Sequence, residues 1–265
     1  MHKIMYPSLL WLLPCLLLTA CRPEWYEALR SAPVPVIDGR ANDWPAEAIK
    51  SHDRAPISYA FRQDQTHAYL LLRTDDPVWQ QQILMAGLTC FLAADGGSSR
   101  RGIRFPMGLD PSNRPSDPNE LNGFLGRLYA NREALLGTMQ DLELLGFQDQ
   151  GKDDVILTDN PSPQGLMAAA KVEDASLTWE MVIPLHLLPG AARGDRLDVH
   201  WETGALDRPE HLRGSDAAGL GGNTPGTPTE VRGQSERDWL ARLDRFRSFA
   251  SPREAKVRVK LPLTR

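Results

Sequence analysis

Leu177-Thr178-Trp179-Glu180-Met181-Val182-Ile183-Pro184 is the stretch that decides the fold class. Its odd positions are all apolar, so in an extended chain Leu177, Trp179, Met181 and Ile183 share one face while Thr178 and Glu180 take the other. Pro184 has no N–H to give to a ladder and ends the strand. Other runs of this kind lie on both sides. Ile57-Ser58-Tyr59-Ala60-Phe61 alternates, Gln63-Asp64-Gln65-Thr66 supplies a turn, and Ala68-Tyr69-Leu70-Leu71-Leu72 returns, which predicts a hairpin. Leu88 to Ala94 ends at Asp95-Gly96-Gly97, a tight-turn signal, and Gly102-Ile103-Arg104-Phe105-Pro106 makes a second pair. Val155-Ile156-Leu157, Leu166 to Val172, Leu197 to Trp201 and the alternating Lys256-Val257-Arg258-Val259-Lys260-Leu261 add further strands. Short strands punctuated by turns predict an all-β fold, an antiparallel sandwich.

Two stretches depart from this pattern. Leu121, Phe124, Leu125, Leu128, Leu135 and Leu136 recur at helical spacing, with Asp117 as N-cap, so a helical insertion is expected at about 118–145. Residues 204–234 are rich in Gly, Pro, Thr and Ser and read as a long flexible loop. After it, Glu236 to Phe249 predicts a short amphipathic helix with Trp239, Leu240, Leu243 and Phe246 on one side.

The N-terminus carries an address. Lys3 is followed by an apolar run from Ile4 to Leu18, broken by Ser8, Pro7 and Pro14, and the run closes at Leu18-Thr19-Ala20-Cys21. That tetrapeptide reads as a bacterial lipobox, with a signal peptide at 1–20 and lipid on Cys21. The apolar run falls short of the roughly 18–20 residues that a spanning helix needs. A diacylglyceryl group plus an N-acyl chain supplies the two or more anchors that stable membrane attachment requires. The lipobox resembles those of Gram-negative lipoproteins, and Arg22 stands where an inner-membrane retention signal has aspartate, so the resemblance implies the outer membrane, with its periplasmic and surface faces both open. Residues 21–35 are expected to be a lipidated tether, and 36–265 one domain. With Cys15 lost in the leader and Cys21 acylated, Cys90 stands alone in an apolar run, as a small buried hydrophobe without a disulfide. A net charge of −4, spread along the chain, argues against nucleic acid as a partner.

The order of elements resembles family 9 carbohydrate-binding modules and the wider DOMON-like group of extracytoplasmic β-sandwiches. The resemblance is carried by Val36-Ile37-Asp38-Gly39 with Asp43-Trp44, by Ala68 to Leu72 with Asp75-Asp76, by Ala94-Asp95-Gly96, by Thr178 to Pro184, and by Trp201-Glu202-Thr203-Gly204. It implies a jelly-roll-type sandwich acting as a non-enzymatic binding module, with a glycan as the leading ligand. Sugar binding uses aromatic faces that match the C–H face of a pyranose, beside polar groups that bond its hydroxyls. Trp44, Trp79 and Trp201 are the candidates. Trp79 lies in the polar, amide-rich Asp75-Asp76-Pro77-Val78-Trp79-Gln80-Gln81-Gln82, Trp201 follows His200 in a strand, and Trp44, like Trp179, is better explained by core packing.

No cofactor is expected. Haem-bearing members of the group pair Met with His, but this chain has no Cys-x-x-Cys-His, and its methionines sit in apolar runs. There is no His-Glu-x-x-His and no Gly-x-Ser-x-Gly, so no catalytic or metal residue is assigned. Asp110 to Glu120 is oxygen-rich, but Pro115 stands where an EF-hand loop needs glycine, and the stretch reads as a solvated loop. The alternative function is a structural or assembly lipoprotein that docks on an outer-membrane protein through 119–145 or 236–249.

Overall fold

The alternation of apolar residues is realised as two packed sheets. A computed structural model describes residues 25–30, 33–95, 97, 100–147, 155–189, 196–206 and 229–261. The leader, the lipobox and Cys21 lie outside them, as do residues 207–228 of the expected loop. The strands are β1 (Tyr26–Glu27), β2 (Leu29–Arg30), β3 (Lys50–Ser51), β4 (Ser58–Gln63), β5 (His67–Thr74), β6 (Leu88–Ala94), β7 (Arg100–Arg104), β8 (Asp141–Leu145), β9 (Val155–Asp159), β10 (Met167–Glu173), β11 (Ser176–Pro184), β12 (Arg196–Thr203) and β13 (Glu254–Lys260). One sheet runs β1-β13-β12-β6-β7-β8-β9, and the other β10-β11-β5-β4-β2 with β3 also on β4. Both predicted hairpins form, β4 with β5 and β6 with β7. The sandwich is mixed rather than wholly antiparallel, because β1 on β13 and β2 on β4 pair in parallel.

Within the stretch expected to be a tether at 21–35, those two pairings tie residues 26–30 to the sandwich. Residues 25–30 bridge the two sheets, and the side chains explain why. The Tyr26 ring packs against Tyr59 and Phe61 at 5.6 and 5.2 Å, and its hydroxyl donates to the Ala48 carbonyl at 2.7 Å. An aromatic with a buried partner and a satisfied hydroxyl holds a short strand that propensity alone would not.

Leu177, Trp179, Met181 and Ile183 face the main core between the sheets, as their spacing predicts. The opposite face of β11 is buried too. Ile37, Trp44 and Ala48 lie across the six-stranded sheet and form a second core with Ala60, Tyr69 and Leu71. Glu180 is fully buried there. One of its oxygens accepts from the amides of Asp38, Gly39 and Arg40 at 3.1, 2.7 and 3.1 Å, and the other from Trp44 Nε1 at 2.6 Å. Burial pushes this carboxyl's pKa up, against those N–H donors. Gly39 is required at the centre of this contact: its φ is +79°, and a Cβ would lie 2.8 Å from that of Lys171.

Among the described residues the α-helices are α1 (Pro77–Ala86), α2 (Pro118–Ala130), α3 (Arg132–Thr138) and α4 (Thr229–Phe249). Asp117 caps α2 as predicted, accepting from the Asn119 amide at 2.9 Å. The insertion is shorter than expected, since Asp141–Leu145 is strand β8, paired with β7 and β9. The last helix starts at Thr229, inside the stretch read as loop. Helices α2 and α4 contact each other, and Leu121, Leu125, Leu128, Leu243, Phe246 and Phe249 are buried in the main core while Leu240 stays exposed. No helix among the described residues is long and apolar enough to cross a membrane.

Candidate functional site

None of the three tryptophans proposed as sugar platforms is available for that role. Trp79 is 2 % exposed, Trp201 0 % and Trp44 4 %. Trp79 sits in helix rather than loop, because Asp76 accepts from its amide at 2.8 Å and Pro77 starts α1. The amides beside it are structural cross-links: Gln80 donates to the Thr74 and Ala175 carbonyls, and Gln82 to those of Gly204 and Ser251. Trp201 points into the main core, stacked on Phe61 at 5.7 Å and edge-on to Trp179 at 6.5 Å. Trp44 is held by Glu180 in the second core.

A concave surface lies on the outer face of the seven-stranded sheet. Strand alternation that buries Val199 and Trp201 turns Asp198, His200 and Glu202 outward, and that of β13 turns out Glu254, Lys256 and Arg258. Because β12 lies between β13 and β6, these side chains meet Phe91 and Arg100 from the other side. They floor a cleft of about 1250 Å³, with Trp25, Tyr59 and the 50–54 segment at its rim.

Its floor is an ordered array of charges. Gly102 has no side chain, so the Phe91 ring lies across it; a Cβ there would come within 2.8 Å of the ring. The Arg100 guanidinium stacks on that ring at 3.3 Å. From there its Nη2 reaches His200 Nδ1 at 2.9 Å and Glu202 Oε2 at 3.4 Å. Lys256 pairs with Glu254 at 2.8 Å, and Arg258 with Asp198 at 3.6 Å. Trp25 lies under two guanidinium groups, Arg196 at 4.9 Å and Arg258 at 5.7 Å.

Burial works against a charged imidazole at His200. Desolvation lowers its pKa, and Lys256 and Arg100 lower it further against the opposing pull of Glu254 and Glu202. Glu254 is held below the usual carboxylate range, first by its hydrogen bond from Lys256.

The ligand atoms of His200, Glu202 and Glu254 lie within 4.8 Å of one another, a spacing that suits a metal. The donor set does not. Nδ1 accepts from Arg100, which leaves the proton on Nε2, the nitrogen that would have to ligate, and both carboxylates already face a cation. The oxygen-rich Asp110 and Asp117 likewise serve local caps, accepting from the Ser112 and Asn119 amides. Cys90 is fully buried, as expected, and burial pushes its thiol pKa up.

Sequence reasoning missed this cleft because its residues come from several segments far apart in the chain. Trp25 sat in the presumed tether, and Phe91 was absorbed into an apolar run. The alternation in His200-Trp201-Glu202 and in Lys256 to Lys260 was the available signal.

No protein-family model and no curated protein matches the chain. Among solved structures it is similar to a family 9 carbohydrate-binding module from Caldicellulosiruptor kristjanssonii in complex with cellotriose, at 12% identity and a TM-score of 0.34, over 71% of this chain and 80% of that one. The module in complex with glucose gives 10%, 0.33, 71% and 81%. The sandwich assigned above rests on strand pairing, and the site on the side chains described.

Proposed function

We propose that the protein is a non-catalytic binding module for carbohydrate, anchored to the outer membrane by lipid on Cys21, and that the cleft beside Trp25 is its binding surface. The cleft's chemistry carries this reading. The charges on its floor are matched in pairs, Arg100 with Glu202, Lys256 with Glu254, and Arg258 with Asp198, so a charged ligand seated on the floor would have to break pairs. A polyol instead uses the donors and acceptors that paired guanidinium, ammonium and carboxylate groups still have free, while Trp25 offers an apolar face. Placing the carboxylates against cations also favours binding over catalysis. The pKa of Glu254 is lowered, and Asp198, which burial pushes up, faces Arg258.

The docking alternative is weakened, since Leu121, Leu125 and Leu128 of α2 and Leu243, Phe246 and Phe249 of α4 are buried, with Leu240 left exposed. A glycan array probed with the mature protein tests the proposal. Binding that is lost in Trp25→Ala and Arg100→Ala supports it. No binding to any glycan, with a membrane protein recovered by crosslinking instead, would replace it with docking.

A further inference from the structure

We infer that the cleft is held against the membrane and that its ligand is the sugar headgroup of a lipid in the same leaflet. This rests on the glycan reading and on the lipid anchor proposed above. The argument is one of reach. Only Arg22, Pro23 and Glu24 separate Cys21 from Trp25, and four residue steps span at most about 14 Å in any conformation. Trp25 itself lines the cleft.

The chain after it has no slack. Tyr26 and Glu27 pair with Val259 and Lys260, the Ala28 amide donates to the Lys260 carbonyl at 3.0 Å, and the Tyr26 hydroxyl is bound at Ala48. An acylated Cys21 at the edge of the hydrocarbon therefore keeps the Trp25 end of the cleft within about 14 Å of it, close to the headgroup layer of about 5–8 Å.

Charge selects among headgroups. Three cations around Trp25 are matched, Arg196 with Asp95 at 3.6 Å, Arg258 with Asp198 at 3.6 Å and Lys260 with Glu27 at 3.7 Å. These three pairs leave no excess positive charge of their own to draw anionic phospholipid. Hydroxyl recognition beside an indole remains, and indoles favour the interface.

The test uses the full acylated protein in vesicles of phosphatidylethanolamine and phosphatidylglycerol containing spin-labelled lipid. An environment-sensitive dye is placed at the cleft rim by Asp53→Cys, or beyond the opposite sheet edge by Gln164→Cys. Cys90 is buried and stays unlabelled. The spin label should quench the dye at residue 53 and spare it at residue 164. Adding lipopolysaccharide to the vesicles should shift the emission at residue 53, and Arg100→Ala should abolish the shift.

Equal quenching at both positions, stronger quenching at 164, or an unacylated Cys21 overturns the inference. A shift caused equally by the detached polysaccharide overturns the membrane-borne source while leaving the glycan reading intact. No shift with lipopolysaccharide, when an array finds a soluble glycan, overturns it in the same way. Failure of the glycan reading itself would appear as an array without any binding.

Discussion

Replacing Glu180 by Gln should unlock the segment that covers the six-stranded sheet. In the native protein one carboxylate oxygen accepts three backbone amides and the other accepts the Trp44 indole N–H. Glutamine can keep the amides on its carbonyl oxygen, but its NH2 then faces the indole N–H, donor against donor. The loss is one charge-assisted bond, about 1.5–3 kcal/mol, plus the cost of stranding a buried donor, about 1–3 kcal/mol. The expected destabilisation is therefore about 3–5 kcal/mol, a large share of a domain's net stability. Urea unfolding followed by far-UV circular dichroism measures it. Trp44→Phe removes the opposed donor, so the double variant should be more stable than the two single losses added together, by about 1 kcal/mol or more. A cost below about 1 kcal/mol for Glu180→Gln, or strict additivity with Trp44→Phe, would refute the assignment of this carboxylate as the clasp.

Other predictions follow from the same structure. Trp179→Ala should cost about 3–5 kcal/mol in urea, as a large-to-small change in the main core that also strands the Phe105 carbonyl. Desolvation works to raise the Asp64 pKa, but hydrogen bonds from the Tyr69 hydroxyl and from the Thr66 and His67 amides outweigh it and hold the carboxyl at about 2. Its folded value lies below the unfolded one near 3.9, so its contribution is complete above that pH and lost as pH falls toward 2. Asp64→Asn should accordingly flatten the acid-unfolding profile over that window and lower stability at neutral pH. Cys21→Ser should abolish fatty-acid labelling and leader removal by the lipoprotein peptidase; persistent labelling would remove the lipid anchor from the account.

Period-two alternation made much of the sandwich readable. It set the facing of Leu177 to Ile183 and both hairpins, because each strand exposes one face to the main core. What it does not encode is what lies beyond the other face. Thr178 and Glu180 point away from the core into a second buried layer, whose covering segment is more than 130 residues distant in sequence. Helix α1 was hidden by its polar Gln80 to Gln82, although Asp76-Pro77 is a cap signal. Strand β8 was hidden by Leu142, Leu144 and Leu145, which extend a helical leucine pattern without a break. Aromatic residue type likewise misled the search for a site. The tryptophans in the best-looking motifs are the ones the core consumes, and the one left at the cleft, Trp25, is placed there by a two-residue parallel pairing that no local pattern announces.

The central claim is that the outer face of the seven-stranded sheet binds carbohydrate at the Trp25 and Arg100 cleft. Calorimetric titration of the mature protein with the best glycan from an array tests it most directly, run beside Trp25→Ala, Arg100→Ala and the buried control Trp79→Phe. The account predicts that the two cleft variants each weaken binding by about tenfold or more, equivalent to about 1.4 kcal/mol, while Trp79→Phe leaves the affinity unchanged. Undiminished binding by Trp25→Ala and Arg100→Ala would contradict it.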